Sequence, residues 1–218
     1  MREAVKASGV IVSSMPVGDY DNRLVILTKE LGKITAFARG ARRSNNPLSA
    51  VSNTFVFGTF SLYEGKNAYT LAEASVIHYF RELAGQQPEV YYGYYFLELA
   101  AYFASENMDE SQLVNLIYVA LRALQNPLID NDLVRAVYEL RILSINGEYA
   151  VLDVDASDET MVYILQYILN APLPKLFHFK VKDEILTRLK WIAQKYRERA
   201  VDRRIKSLDI LEMMLWTG

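Results

Sequence analysis

The chain has 218 residues, 51% of them apolar and 23% charged, with a formal net charge of -2. That length supports one or two domains with a real core, and the near-neutral balance means that a surface for a polyanion must come from segregated charge. With no cysteine and only two histidines, His78 and His178, disulfides and thiolate metal sites are excluded, and neither a zinc site nor any other cofactor is expected.

The first eighty residues carry strand signals. Val5–Ser14, Asn22–Thr28, Lys33–Ala41, Thr54–Glu64 and Ala68–Tyr79 are rich in Val, Ile, Phe, Tyr and Thr. Gly58 falls in the middle of the fourth run, where a barrel strand bends or bulges. Glu64-Gly65-Lys66-Asn67 reads as a turn that joins the last two runs in a hairpin. Five short strands, hairpin turns and one long loop suit a small closed barrel such as the OB-fold, with an SH3-like barrel as the alternative. The long loop, Arg42–Asn53, holds nothing that predicts a core.

Gly85-Gln86-Gln87-Pro88 marks a boundary, dividing a barrel domain at residues 1–82 from a helical domain at residues 83–218. Val90–Ala104 is apolar nearly all round, as a buried central helix would be. Glu110–Leu124 carries an apolar stripe and ends at Asn126-Pro127. Asp132–Ile145 stops at Asn146-Gly147. Ser157–Leu169 has Asp158 and Glu159 in its first turn, where acids suit the helix dipole. Lys182–Arg199 is amphipathic, with Ile185, Leu189, Ile192 and Tyr196 inward and Arg188, Lys190, Lys195, Arg197 and Arg199 outward. Ser207 is placed to cap a last helix through Leu215. The first ten residues lack the apolar core of a secretory signal, and the apolar block Val90–Phe103 is too short to span a bilayer. A cytoplasmic protein with no membrane contact is the expectation.

Charge is unevenly distributed. Met1–Glu82 holds ten basic and seven acidic residues, whereas Leu83–Gly218 holds fourteen and nineteen. Within the latter, Lys175–Lys206 has eleven basic residues against four acidic ones. In the barrel the basic set is Arg23, Lys29, Lys33, Arg39, Arg42, Arg43 and Lys66. Arg39, Arg42 and Arg43 cluster where a strand enters a polar loop, and clustered guanidiniums hold phosphate through charge and paired hydrogen bonds. The alternative is a solvated hairpin end. Phe37, Phe57, Tyr63 and Tyr69 are candidate stacking rings; small barrels need aromatic filling, so Phe37 and Phe57 are assigned to the core and Tyr63 and Tyr69 to the surface. The tyrosines of the run Tyr91, Tyr92, Tyr94, Tyr95 and Tyr102 are assigned to packing, with some hydroxyls needing buried partners. No phosphate loop, no GxSxG and no HExxH is present. The pairs Asp153/Asp155 and Asp158/Glu159 read as loop solvation and capping, not as a Mg²⁺ site.

The segment GDYDNRLVILTKELGKITAFARGARR at Gly18–Arg43, with FVFGTFSLYEGKNAYTLAEASVI at Phe55–Ile77, resembles the N-terminal domain of the RecO family. The resemblance continues at YELRILSINGEY (Tyr138–Tyr149) and RRIKSLDILEMM (Arg203–Met214). It implies an OB-fold followed by a helical domain. It also implies a non-enzymatic recombination mediator that binds single- and double-stranded DNA, anneals complementary strands, and works with RecR to load recombinase on DNA coated by single-stranded DNA-binding protein. The implied DNA-binding residues are Arg23, Lys33, Arg39, Arg42, Arg43 and Lys66. A second set, Arg188, Lys195, Arg197, Arg199, Arg203, Arg204 and Lys206, is a candidate for more DNA or for the acidic C-terminal tail of single-stranded DNA-binding protein. Many members carry a four-cysteine zinc module where this chain has only Ala150–Thr160, so no zinc is expected. A protein-interaction adaptor with a purely structural barrel is the alternative function.

Overall fold

In a computed structural model that describes residues 3–149 and 158–216, five strands form a closed barrel in the order β1-β2-β3-β5-β4. They are β1 (Val5–Val17), β2 (Asp21–Thr28), β3 (Gly32–Ala38), β4 (Phe57–Glu64) and β5 (Tyr69–His78). All pairings are antiparallel except β3 with β5, which run parallel through Ala36↔Tyr69 and Phe37↔Thr70. This is the OB-fold connection; the SH3-like alternative is set aside. Alternation fills the interior. On β3, Ile34, Ala36 and Ala38 are buried, and they join Ala7, Ile11, Leu24, Ile26, Phe60, Leu62 and Leu71 in one cluster.

Gly58 does mark an irregularity, since the β4·β5 register shifts between Phe57 and Gly58. It pairs with Gly9 across β1. A Cβ on Gly58 would stand 2.4 Å from the Ser75 carbonyl oxygen, so this close approach requires glycine. Strand β4 begins three residues later than the Thr54 start expected from the sequence. Phe55 has φ +71, which is outside the extended region; its N–H donates to the Ile11 carbonyl and its ring is buried.

The loop Arg42–Asn53 corrects the sequence expectation. It contains a one-turn helix, α1 (Leu48–Val51), whose Leu48 belongs to the barrel core, with Val51 packed against it. A second short helix, α2 (Arg81–Ala84), follows β5.

The chain divides into two compact units, one of Met1–Ala84 with Leu97–Val114, the other of Gly85–Phe96 with Asn115–Gly218. Within the first, Gly32 bridges to Glu106 and the Lys33 N–H donates to the Ser105 carbonyl at 2.9 Å. The helices are α3 (Glu89–Phe103), α4 (Ser111–Leu124), α5 (Asn131–Ile145), α6 (Glu159–Asn170), α7 (Asp183–Ala200) and α8 (Lys206–Trp216). Asp130 caps α5 by accepting from the Asp132 and Leu133 N–H groups, and Asp158 caps α6 through Met161. Ser207 lies inside α8, not at its cap. Arg141 of α5 donates to the carbonyls of Ile168, Leu169 and Ala171, and so binds the last turn of α6, whose final carbonyls lack helical partners.

Candidate nucleic-acid interface

The β1–β2 turn and the loop after β3 are tied into one corner of the barrel. Asp21, the first residue of β2, accepts the Gly40 N–H at 2.7 Å and Arg39 Nη1 at 3.2 Å. Arg42 donates its backbone N–H to the Tyr20 carbonyl at 2.8 Å and its Nη1 to the Gly18 carbonyl at 3.3 Å. The Arg43 guanidinium stands 4.7 Å from the Tyr20 ring centroid. The sequence reading missed Tyr20 and Asp21, which hold the arginine loop. Their proximity to Arg39–Arg43 follows from β2 and β3 being hairpin partners, with Asn22 opposite Ala38.

The three arginines remain exposed. Arg39 keeps 69% of its side chain accessible despite the Asp21 contact, and an ion pair at such a surface adds little. The arrangement offers guanidiniums on a pinned loop, with little ordering left to do when an anion arrives.

The other barrel residues are placed differently. Lys33 donates Nζ to the Ala101 carbonyl at 2.8 Å, within the same unit, so its ammonium serves the C-terminal turn of α3. Arg23 is half-buried on the outer face of β2, opposite Phe37. Lys66 is exposed in the β4–β5 turn. Phe57 is buried, as expected. Phe37 is not core: it is half-buried on the outer face of β3. Strand alternation could have found this, because Phe37 shares its parity with Lys33, Thr35 and Arg39. Tyr63 is 41% exposed. Tyr69, expected at the surface, packs partly against the core through its parallel pairing with Ala36.

In the second unit the basic helix is largely engaged. Arg197 is turned inward, against the expectation; it is 6% exposed and donates Nη1 to Glu139 at 2.9 Å. Its position four residues after buried Ala193 puts it on the apolar stripe. Glu139 also accepts Arg135 Nε at 2.9 Å and the Tyr95 hydroxyl at 2.7 Å. Burial, and then the charge of Glu139, push the Tyr95 hydroxyl well above its ordinary range. Arg188 pairs with Asp158, Lys190 with Asp132, and Arg204 with Asp209. Lys195 lies over the Trp191 ring and Arg199 over Tyr196. Arg203 and Lys206 are exposed.

The tyrosine run packs as expected at Tyr92 and Tyr95, which are buried, with the Tyr92 hydroxyl donating to Asp132 at 2.6 Å. Tyr91 and Tyr102 are half-buried and Tyr94 is exposed. Among the described residues, no group of three or more His, Asp or Glu is placed to hold a metal ion. The pair Asp153/Asp155 and most of Ala150–Thr160 lie outside the described residues. Among the described residues no helix is long and apolar enough to cross a membrane.

A family model described as recombination protein O N terminal matches residues 1–80, and one described as recombination protein O C terminal matches residues 88–160. The DNA repair protein RecO of Acetivibrio thermocellus is 25% identical over 248 aligned residues, covering 96% of this chain and 97% of that relative. The alignment is longer than the chain, so that relative carries residues with no counterpart here. The DNA repair protein RecO of Bacillus pumilus is 31% identical over 82% of this chain and 65% of its own length. That of Clostridium novyi is 28% identical over 65% of this chain, and the match spans 56% of its own length. The two family models together take in well over half of the sequence, in the order barrel then helices, and on that ground the chain belongs to the RecO family.

Proposed function

We propose that this protein is a DNA-binding recombination mediator in recombinational repair, with the pinned corner of the barrel as its phosphate-binding site. The observation that carries the reading is the exposed set Arg39, Arg42 and Arg43 on one tied loop of an OB-fold barrel, in a chain whose relatives are named DNA repair protein RecO. Arginines on phosphates position a strand without reading its sequence. A protein that screens two polyanions brings complementary strands together, and annealing then needs no bond chemistry. Work with RecR, loading of recombinase on DNA coated by single-stranded DNA-binding protein, and a cytoplasmic, nucleoid-associated location belong to the same proposal. For the acidic tail of single-stranded DNA-binding protein, α8 is the proposed seat: Ile210 and Met213 are exposed along it and Lys206 stands at its start.

The test is fluorescence anisotropy of labelled single-stranded DNA, with wild type and the Arg39→Ala/Arg42→Ala/Arg43→Ala variant, at two salt concentrations. Salt-sensitive binding that the variant loses supports the barrel site. Binding retained by the variant moves the DNA to α7 and α8. No binding by wild type favours the adaptor reading, in which the barrel is structural.

A further inference from the structure

The outer surface of the barrel carries a transverse row that phosphate binding leaves unused. Register puts Met15 opposite Arg23, Arg23 opposite Phe37, Phe37 opposite Thr70, and Thr70 opposite Tyr63, across β1, β2, β3, β5 and β4. Their strand neighbours Leu24, Ala36, Leu71 and Leu62 are buried, so the row faces outward. Strand β3 keeps the small Ala36 and Ala38 inside and its largest residue, Phe37, outside. Strand β4 does the same with Leu62 and Tyr63. Neither ring is needed to fill the interior, which Phe60 and the aliphatic cluster already occupy.

Phe37 lies beside two cations. Arg23 is directly across from Phe37, and the Arg39 guanidinium is 5.7 Å from the Phe37 ring centroid. Thus the strand that presents Phe37 also delivers Arg39 to the phosphate corner. Two strand spacings, about 10 Å along the sheet, separate Phe37 from Tyr63. Exposed rings next to a cationic groove take nucleobases of any sequence, because every base has a π-face. A duplex hides those faces in its own stack while leaving its phosphates accessible. The rings can therefore distinguish strand states that the arginines cannot.

We propose that Phe37 and Tyr63 form a stacking track for unpaired bases, which gives the barrel a preference for single-stranded over duplex DNA. The proposal rests on the DNA-binding reading above and adds the rings to it. Three probes of equal phosphate number separate the terms: a labelled oligo(dT), a duplex, and a single strand of abasic residues. Phe37→Leu keeps apolar bulk on the strand, and unfolding midpoints matched to wild type establish that the variants are folded. The expected result is that Phe37→Leu and Tyr63→Leu each weaken oligo(dT) binding about tenfold, leave duplex and abasic binding within twofold, and that Phe37→Trp restores oligo(dT) binding. Wild type that binds oligo(dT) no better than the abasic strand, or variants that lose duplex and oligo(dT) binding equally, overturns the track while the phosphate site stands. Wild type that binds none of the probes overturns the DNA reading itself, and the track with it.

Discussion

Glu139 shows how a single residue organises the helical unit. It is 2% exposed and receives two guanidiniums and a phenol, while Arg135 also reaches Glu212 at 3.1 Å. Such a cluster is weak as a source of net stability, but removing the shared carboxylate leaves the buried Arg197 facing the half-buried Arg135 without their common acceptor. Glu139→Ala is expected to lose about 3–5 kcal/mol, read as a shift of the urea midpoint. Asp132 carries a pH dependence. Burial raises its pKa, but hydrogen bonds from Lys190 and Tyr92 outweigh that and hold it below 3.8. A depressed carboxylate contributes its stability above its unfolded value and loses it as pH falls through the folded one. Wild type should thus exceed Asp132→Asn in stability at pH 5 and lose that margin below about pH 3.8, as paired urea titrations will show. Arg197 and Phe37 illustrate the limit of reading residues by type. Charge suggested outward for the one and aromaticity inward for the other, but helical and strand periodicity oppose both assignments, and the fold follows periodicity.

At the scale of elements, the strands and long helices are legible because their apolar spacing is strong and Gly or Pro punctuates their ends. What escapes is set by single backbone angles and by short turns. The start of β4 is delayed by the left-handed Phe55, a conformation that a β-prone phenylalanine does not advertise. Helix α1 spans only Leu48–Val51, too few residues for any period to register, although it delivers Leu48 to the core. Gly58 was readable as a bend, but not the reason for it: β5 passes so close that a methyl group has no room. Gly58→Ala is expected to cost about 3 kcal/mol, the upper end for overpacking. Circular dichroism melting will register it as a lowered midpoint, whereas Gly18→Ala, which meets no neighbour and is strained only by its φ of +57, will shift it less.

For the whole molecule, function is legible chiefly through resemblance. Net charge is slightly negative, and no motif in the chain specifies a nucleic acid on its own. Locally, though, the arginine corner has a measurable signature. Three phosphate contacts on a single strand displace about two counterions, so the log–log salt slope of the triple alanine variant should be shallower than that of wild type by about 2. The candidate site is thus partly readable: Arg39, Arg42 and Arg43 cluster in sequence, but the latch formed by Asp21 arises only when β2 meets β3, and the engagement of Lys33 only when β3 meets the end of α3.

The span between Tyr149 and Asp158 has a fixed post at either end. Tyr149 packs edge-on against Tyr196 with ring centroids 4.4 Å apart, and Asp158 both caps α6 and pairs with Arg188. Because both posts are anchored independently of what joins them, the length of the connection is nearly decoupled from the stability of the helices. Doubling the eight residues 150–157 would add a closure penalty of only about 0.6 kcal/mol. On closure entropy alone, then, an insertion between these two posts is cheap, and the span is a place where an engineer can test a reporter or a tether.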